Sequence, residues 1–258
     1  MSRIHTAFEN GKAFIGFVTG GDPSVEKSEE FILKMIEGGA DLIEIGIPFS
    51  DPIAEGPVIQ EANLRALTAG TTADRLFEMV ASLRKKTQVP IVFLTYLNPV
   101  FKYGYERFFA RCRECGVDGL ILPDLPYEEK GDVAEHAGAY GVDIISLIAP
   151  TSEARIRRIS EDAAGFLYVV SSMGVTGIRS EIKTDLASIM KTVRQYSNLP
   201  AAVGFGINTP DQAREIAKIA DGVIVGSAIV KLCQQYGDDA GIPIYEYIRS
   251  MKEAIGGK

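Results

Sequence analysis

Tryptophan is absent from the 258-residue chain, histidine occurs twice and cysteine three times. Each scarcity excludes something. Without an indole side chain, intrinsic fluorescence is tyrosine-dominated. The two histidines, His5 and His136, lack metal-ligand spacing to each other or to the cysteines, so no metal site is read. Cys112, Cys115 and Cys233 cannot build a disulfide framework and fit a reducing compartment. Cys112 and Cys115 form a CxxC pair, but late in a helical pattern rather than after a strand. We read them as small hydrophobes packing on one helix. Excess positive charge is also missing. Lys+Arg number 27 against 34 Asp+Glu, a net charge of -7, and no basic run exists to grip nucleic acid or anionic lipid. A local amide pocket for a small anion stays open. Long apolar runs are absent too: none reaches the ~18 residues of a membrane helix. Residues 1–12 are polar and mixed in charge, without the basic stretch or cleavage site of a secretory signal. The expectation is a cytoplasmic protein.

What remains is an ordinary globular composition, 46% hydrophobic and 24% charged, which excludes disorder, collagen and coiled coil. Short apolar, β-branched runs recur at 13–19, 41–47, 89–96, 119–123, 143–149, 165–171, 200–205 and 221–226. Stretches of helical period lie between them, at 25–37, 73–86, 101–115, 128–140, 153–162, 185–196, 209–220 and 244–254. Ser24, Thr72, Ser152, Thr184 and Thr209 are good N-cap types at helix starts, and Pro90 and Pro200 stand where strands begin. The runs are continuously apolar, as in a parallel sheet buried on both faces. Eight strand–helix units in about 250 residues indicate a (β/α)8 TIM barrel in a single α/β domain, residues 1–258. The alternative is a doubly wound open sheet, but no GxGxxG follows any run. Residues 3–10 predict a short N-terminal helix at the barrel's bottom. Long loops are expected after the second strand, from 48 past 70, and after the sixth, at 172–183.

In such a barrel, reactive residues belong at the C-terminal strand ends and in the loops that follow. Glu44 sits inside the apolar run Leu42-Ile43-Glu44-Ile45-Gly46. Burial there raises a carboxyl pKa and suits it to general acid and base work; the plainer reading is an ion-paired structural acid. The next loop adds Asp51 and Glu55, which solvation alone would also explain. Thr95, Asn98, Asp124 and Tyr168 lie at strand ends, where each either faces the mouth or caps a helix. Glycines cluster at Gly174-Val175-Thr176-Gly177, Gly204-Phe205-Gly206 and Gly226-Ser227. Barrels commonly bind phosphate at the last strands through backbone amides and a short helix, although glycines also simply make tight turns. From the residues alone, this is a barrel for a small phosphorylated compound with Glu44 as proton carrier.

The stretch Ile43-Glu44-Ile45-Gly46-Ile47-Pro48-Phe49-Ser50-Asp51-Pro52-Ile53-Ala54-Glu55-Gly56-Pro57 resembles the signature of the tryptophan synthase alpha subunit family. Phe17 to Pro23, Leu122 to Pro126, Ser171 to Gly177, and the Gly204 and Gly226 clusters resemble the same family in the same order. The resemblance implies retro-aldol cleavage of indole-3-glycerol phosphate to indole and glyceraldehyde 3-phosphate. It implies that Glu44 is the catalytic glutamate and that Glu55 stands where the family usually has aspartate, accepting from the indole N–H. Tyr168 matches a tyrosine beside the scissile bond. Phe17, Tyr96 and Ile121 match positions around the indole, and Gly177, Gly206, Gly226 and Ser227 match phosphate-binding amides. Loops 50–60 and 174–184 match two mobile loops, with Asp51 and Thr176 paired on closure. The implied partner is a beta subunit in an α2β2 complex, facing Pro48, Asp51 and Asn98. That partner carries pyridoxal phosphate; no cofactor is expected in this chain. Other readings are a regulatory subunit that activates its partner, a stand-alone lyase, and a neighbouring phosphate-binding epimerase or isomerase. The last group lacks the fifteen-residue signature.

Overall fold

The computed structural model describes residues 2–170, 185–204 and 206–256. In chain order the first half contains β1 (Ala13–Thr19), α1 (Val25–Glu37), β2 (Leu42–Gly46), α2 (Pro57–Thr68), α3 (Ala73–Leu83) and β3 (Ile91–Leu94). It continues with α4 (Leu97–Tyr103), α5 (Tyr105–Cys115), β4 (Gly119–Ile121), α6 (Lys130–Ala139) and β5 (Asp143–Ile144). The second half holds β6 (Ser146–Ile148), α7 (Glu153–Glu161), β7 (Leu167–Val170), α8 (Leu186–Tyr196) and β8 (Ala201–Gly204). It ends with α9 (Pro210–Ala217), β9 (Gly222–Val225), α10 (Ser227–Tyr236) and α11 (Gly241–Ala254). All pairings are parallel, in the order β5-β4-β3-β2-β1-β9-β8-β7-β6. This is a nearly closed barrel with helices outside it, as the run pattern predicts. No helix among the described residues is long and apolar enough to cross a membrane.

Strand parity builds two cores. Ala13 and Ile15 of β1, Leu42 of β2, Val92 of β3 and Phe166 point inward and pack with Ile121, Tyr168 and Ile224. Their neighbours Phe14, Val18, Ile43, Ile45 and Phe93 point outward into the layer beneath the helices. A residue such as Glu44, which shares the face of Leu42, is therefore committed to the interior by the two-residue period. Ile4, fully buried, plugs the N-terminal end of the barrel from a 3-10 turn at Ile4–Phe8, where the sequence predicts a helix.

Four helix starts carry the predicted caps: Ser24, Thr72, Ser152 and Thr209 each accept from a backbone N–H in the first turn. For α8 the cap is Asp185, which accepts from Ser188 N at 3.0 Å; Thr184 lies outside the described residues. Three other expectations change. The helix expected at 101–115 starts earlier, at Leu97, and breaks at Gly104, whose φ is +90°. The early start has a distant cause: the Asp124 carboxylate accepts from Leu97 N at 2.9 and 3.1 Å. The long loop after β2 is shorter than expected, because α2 occupies Pro57–Thr68 and buries Ile59, Ala62, Asn63 and Ala66 along one face. The fifth run, expected as one strand, is two. Its first part pairs with β4, and Ile145 N still donates to Leu120 O at 2.9 Å, after which Ser146–Ile148 pairs with β7 instead.

Candidate active site

A largely apolar pocket opens at the C-terminal end of the barrel. Glu44, Glu55 and Tyr168 line it together with Phe17, Leu94, Leu147 and the Gly226–Ser227 corner. Glu44 comes from the middle of β2, in register with Phe17 on β1 and Val92 on β3. It is 1% exposed, and its Oε1 has no hydrogen-bond partner among the described residues. Burial without compensation favours the neutral acid and pushes its pKa up to about 8; the charge of Glu55 adds to the rise. At neutral pH the side chain therefore holds a proton ready to give.

Glu55 is presented by the turn before α2 and is 5% exposed. Its placement is controlled from both ends. Gln60 Nε2 donates to the Glu55 carbonyl at 2.8 Å. The Tyr96 hydroxyl accepts from Ala54 N at 3.0 Å and donates to Glu55 Oε1 at 3.4 Å. Tyr96 thus stands behind the acid, its ring tilted against Phe49 with centres 5.5 Å apart, rather than among the lining residues. The pKa of its phenol is raised by burial and then by the Glu55 charge, so it stays a donor.

Tyr168 is buried, with its ring beside Phe166 at 6.4 Å. Burial, then the charges of Glu44 and Glu55, raise its pKa far above the usual phenol range. Two glycines make room for the rings. A Cβ on Gly204 would meet the Tyr168 ring and hydroxyl at 2.7–2.9 Å. One on Gly46 would meet the Phe17 ring at 2.7 Å. Gly206, Ile207, Gly226 and Ser227 form the opposite wall. Ser227 begins α10, and the first amides of a helix have no intrahelical acceptor, so they face an anion well.

Other expected residues fall elsewhere. Ile121, in register with the lining residue Leu94, is fully buried in the inner core and does not itself line the pocket. Thr176 and Gly177, with the expected Asp51–Thr176 pairing, lie outside the described residues. Asp51 is exposed, accepts from Ser50 Oγ, and shares a separate surface hollow with Pro48 and Asn98. Sequence reasoning missed Ala54, Ile59, Leu94, Pro123, Leu147, Ile207 and Ile224 as lining. Leu94 and Leu147 carried a signal, since each stands near the C-terminal end of an apolar run. Ile59 did not, because the sequence predicts a loop where α2 forms.

Set beside known proteins, the chain matches the family model described as tryptophan synthase alpha chain over residues 4–255. It is 49% identical to the tryptophan synthase alpha chain of Lacticaseibacillus casei, an alignment covering 100% of this chain and 97% of that one. The crystal structure of the tryptophan synthase alpha chain from Legionella pneumophila subsp. pneumophila superposes with a TM-score of 0.89 at 37% identity, covering 99% and 97%. A structure of the tryptophan synthase a2b2 complex from Pyrococcus furiosus superposes at 0.88 with 33% identity, covering 95% and 99%.

Proposed function

This chain belongs to the tryptophan synthase alpha chain family, and from that premise we propose which of its residues carry out the family's reaction. The enzyme is a lyase of tryptophan biosynthesis that cleaves indole-3-glycerol phosphate to indole and glyceraldehyde 3-phosphate. The observation carrying the assignment is Glu44, a carboxyl held neutral by burial in the pocket wall with one oxygen unpartnered among the described residues.

Neutral Glu44 gives its proton to the ring carbon that bears the side chain. The ring becomes an electron-poor indoleninium. Glu55, as carboxylate, accepts from the ring N–H and offsets the new positive charge. Glu44, now ionised, takes the proton of the side-chain hydroxyl next to that carbon. The O–H electrons form the aldehyde, the carbon–carbon bond breaks, and its electron pair returns to the ring as indole. Glu44 ends protonated, so one carboxyl serves as acid and then as base. Tyr168 keeps its proton throughout and borders the breaking bond. Phe17, Leu94 and Leu147 shape the apolar place for the indole. The phosphate sits at the Gly206 and Gly226–Ser227 wall, where backbone amides replace its water. The acidic net charge is no obstacle, because those amides carry the recognition.

The family usually has aspartate at position 55, and the extra methylene is accommodated by the Tyr96 hydroxyl, which holds both the loop amide and the acid. A beta subunit carrying pyridoxal phosphate docks on the face of Pro48, Asp51 and Asn98. The hollow lined by these residues and the exposed Ile53 and Phe101 support that reading, as does the likeness to the Pyrococcus furiosus complex. The test is indole release from indole-3-glycerol phosphate by the purified chain, alone and with a beta subunit. Activity should rise with the partner and vanish in Glu44→Gln. Retained activity in that variant would remove Glu44 from its role.

A further inference from the structure

Asp22 and Arg65 stand 43 residues apart and do not line the pocket, yet they form a two-pronged ion pair. Arg65 Nε donates to Asp22 Oδ1 at 2.8 Å and its NH2 group donates to Oδ2 at 2.7 Å. Asp22 is 3% exposed, so this carboxylate has almost no water to replace the guanidinium. The pair joins two elements that build the pocket. Asp22 lies in the turn after β1, the strand that carries Phe17; Arg65 lies on the third turn of α2, the helix that begins directly after Glu55. A second contact clamps the same two segments. Gly21 (φ +88°) approaches Thr71, just past α2, so closely that a Cβ there would meet the Thr71 hydroxyl oxygen at 2.0 Å. Within α2, Ile59 lines the pocket and Gln60 holds the Glu55 carbonyl. The helix is thus a rigid lever roughly 12 Å long between the ion pair and the acid, at 1.5 Å per residue.

We propose that Asp22 and Arg65 are positioning residues for the cleavage reaction, fixing the carboxylate of Glu55 through α2. The proposal rests on the role given to Glu55 above. A misplacement of about 1 Å at such a group costs on the order of 100-fold in rate. Asp22→Asn keeps the shape and one acceptor but removes the charge; Arg65→Lys keeps the charge but cannot fork.

The test is a double-mutant cycle on kcat for indole-3-glycerol phosphate, using Asp22→Asn, Arg65→Lys, Glu55→Gln and the paired variants, with thermal melts showing that each folds. Each positioning variant should lose about 10- to 100-fold in kcat with KM nearly unchanged. In the Glu55→Gln background the same changes should cost less than about threefold, because the group they position is already lost. The pH at which kcat falls on the alkaline side should also move down in Asp22→Asn, as Glu55 withdraws its charge from Glu44. Full additivity with Glu55→Gln, or loss confined to melting temperature, overturns the positioning role while leaving Glu55 in place. An active Glu55→Gln overturns the role of Glu55 and the proposal with it. If Asp22→Asn does not fold, Arg65→Lys alone carries the cycle.

Discussion

Holding Glu44 neutral has a stability cost that depends on pH, and its size follows from the structure. The carboxyl has its ordinary pKa of 4.5 in the unfolded chain and about 8 in the native pocket. A group whose folded pKa is raised favours the native state below the unfolded value and loses that benefit as pH climbs toward the folded one. The difference of 3.5 units, 8 minus 4.5, amounts to about 5 kcal/mol at roughly 1.36 kcal/mol per unit. The loss starts near pH 4.5, grows through neutrality and levels off above about pH 8. Glu44→Gln replaces the acid by a neutral group of the same shape that does not titrate. Its melting temperature should therefore gain on the parent steadily from pH 5 to pH 8, and then hold its lead. About 4 kcal/mol of that loss falls between pH 5 and pH 8, so at roughly 2–4 °C per kcal/mol for a chain of this size the relative gain is about 8–16 °C. Differential scanning calorimetry of both proteins across pH 5–9 measures it. A constant difference across that range would show that Glu44 ionises natively as it does unfolded, and the acid role would go with it.

Shortening Glu55 to aspartate should pull the acid away from the Tyr96 hydroxyl and lower kcat about 10-fold; a large gain in steady-state rate would show that the longer side chain is a handicap. Gly204→Ala should drive Tyr168 out of place, since the new Cβ would lie 2.7 Å from its hydroxyl, and kcat should drop by an order of magnitude or more with little change in KM. Asp118→Ala should unfold the protein at lower temperature without a specific loss of activity. Asp118 is 2% exposed, pairs with Arg3 and Arg84 and accepts from Ile91 N, so removing it leaves buried donors stranded at a cost of about 3–5 kcal/mol, visible in a thermal melt.

The barrel was legible because its strands are buried on both faces, and apolar runs such as Ala13–Thr19 and Gly222–Val225 have no other use in a chain of this composition. Glu44 was legible for the same reason: an acid in such a run is anomalous on its face. Glu55 gained a role only through the resemblance, because a loop acid is locally ordinary, whereas Ser227 was already marked by the glycine cluster at the end of the last strand. What stayed hidden depends on partners far along the chain. The start of α4 is set by a carboxylate 27 residues away. Gly104, between α4 and α5, breaks a helical period that is continuous in sequence. The place of Tyr96 behind Glu55 arises from a loop folding back across the strand ends, which no periodicity records.

The split fifth strand gives the barrel a seam, and the seam divides the pocket mechanically. Glu44 sits on β2, hydrogen-bonded by β1 on one side and β3 on the other, and Phe17 sits on β1 between β2 and β9. Leu147, across the pocket, belongs to a three-residue strand with a neighbour on one side only. The proton donor is mounted on a strand paired along both edges, and Leu147 on one paired along a single edge among the described residues. The accuracy that proton transfer needs thus rests on the doubly paired arc of the sheet, away from the seam.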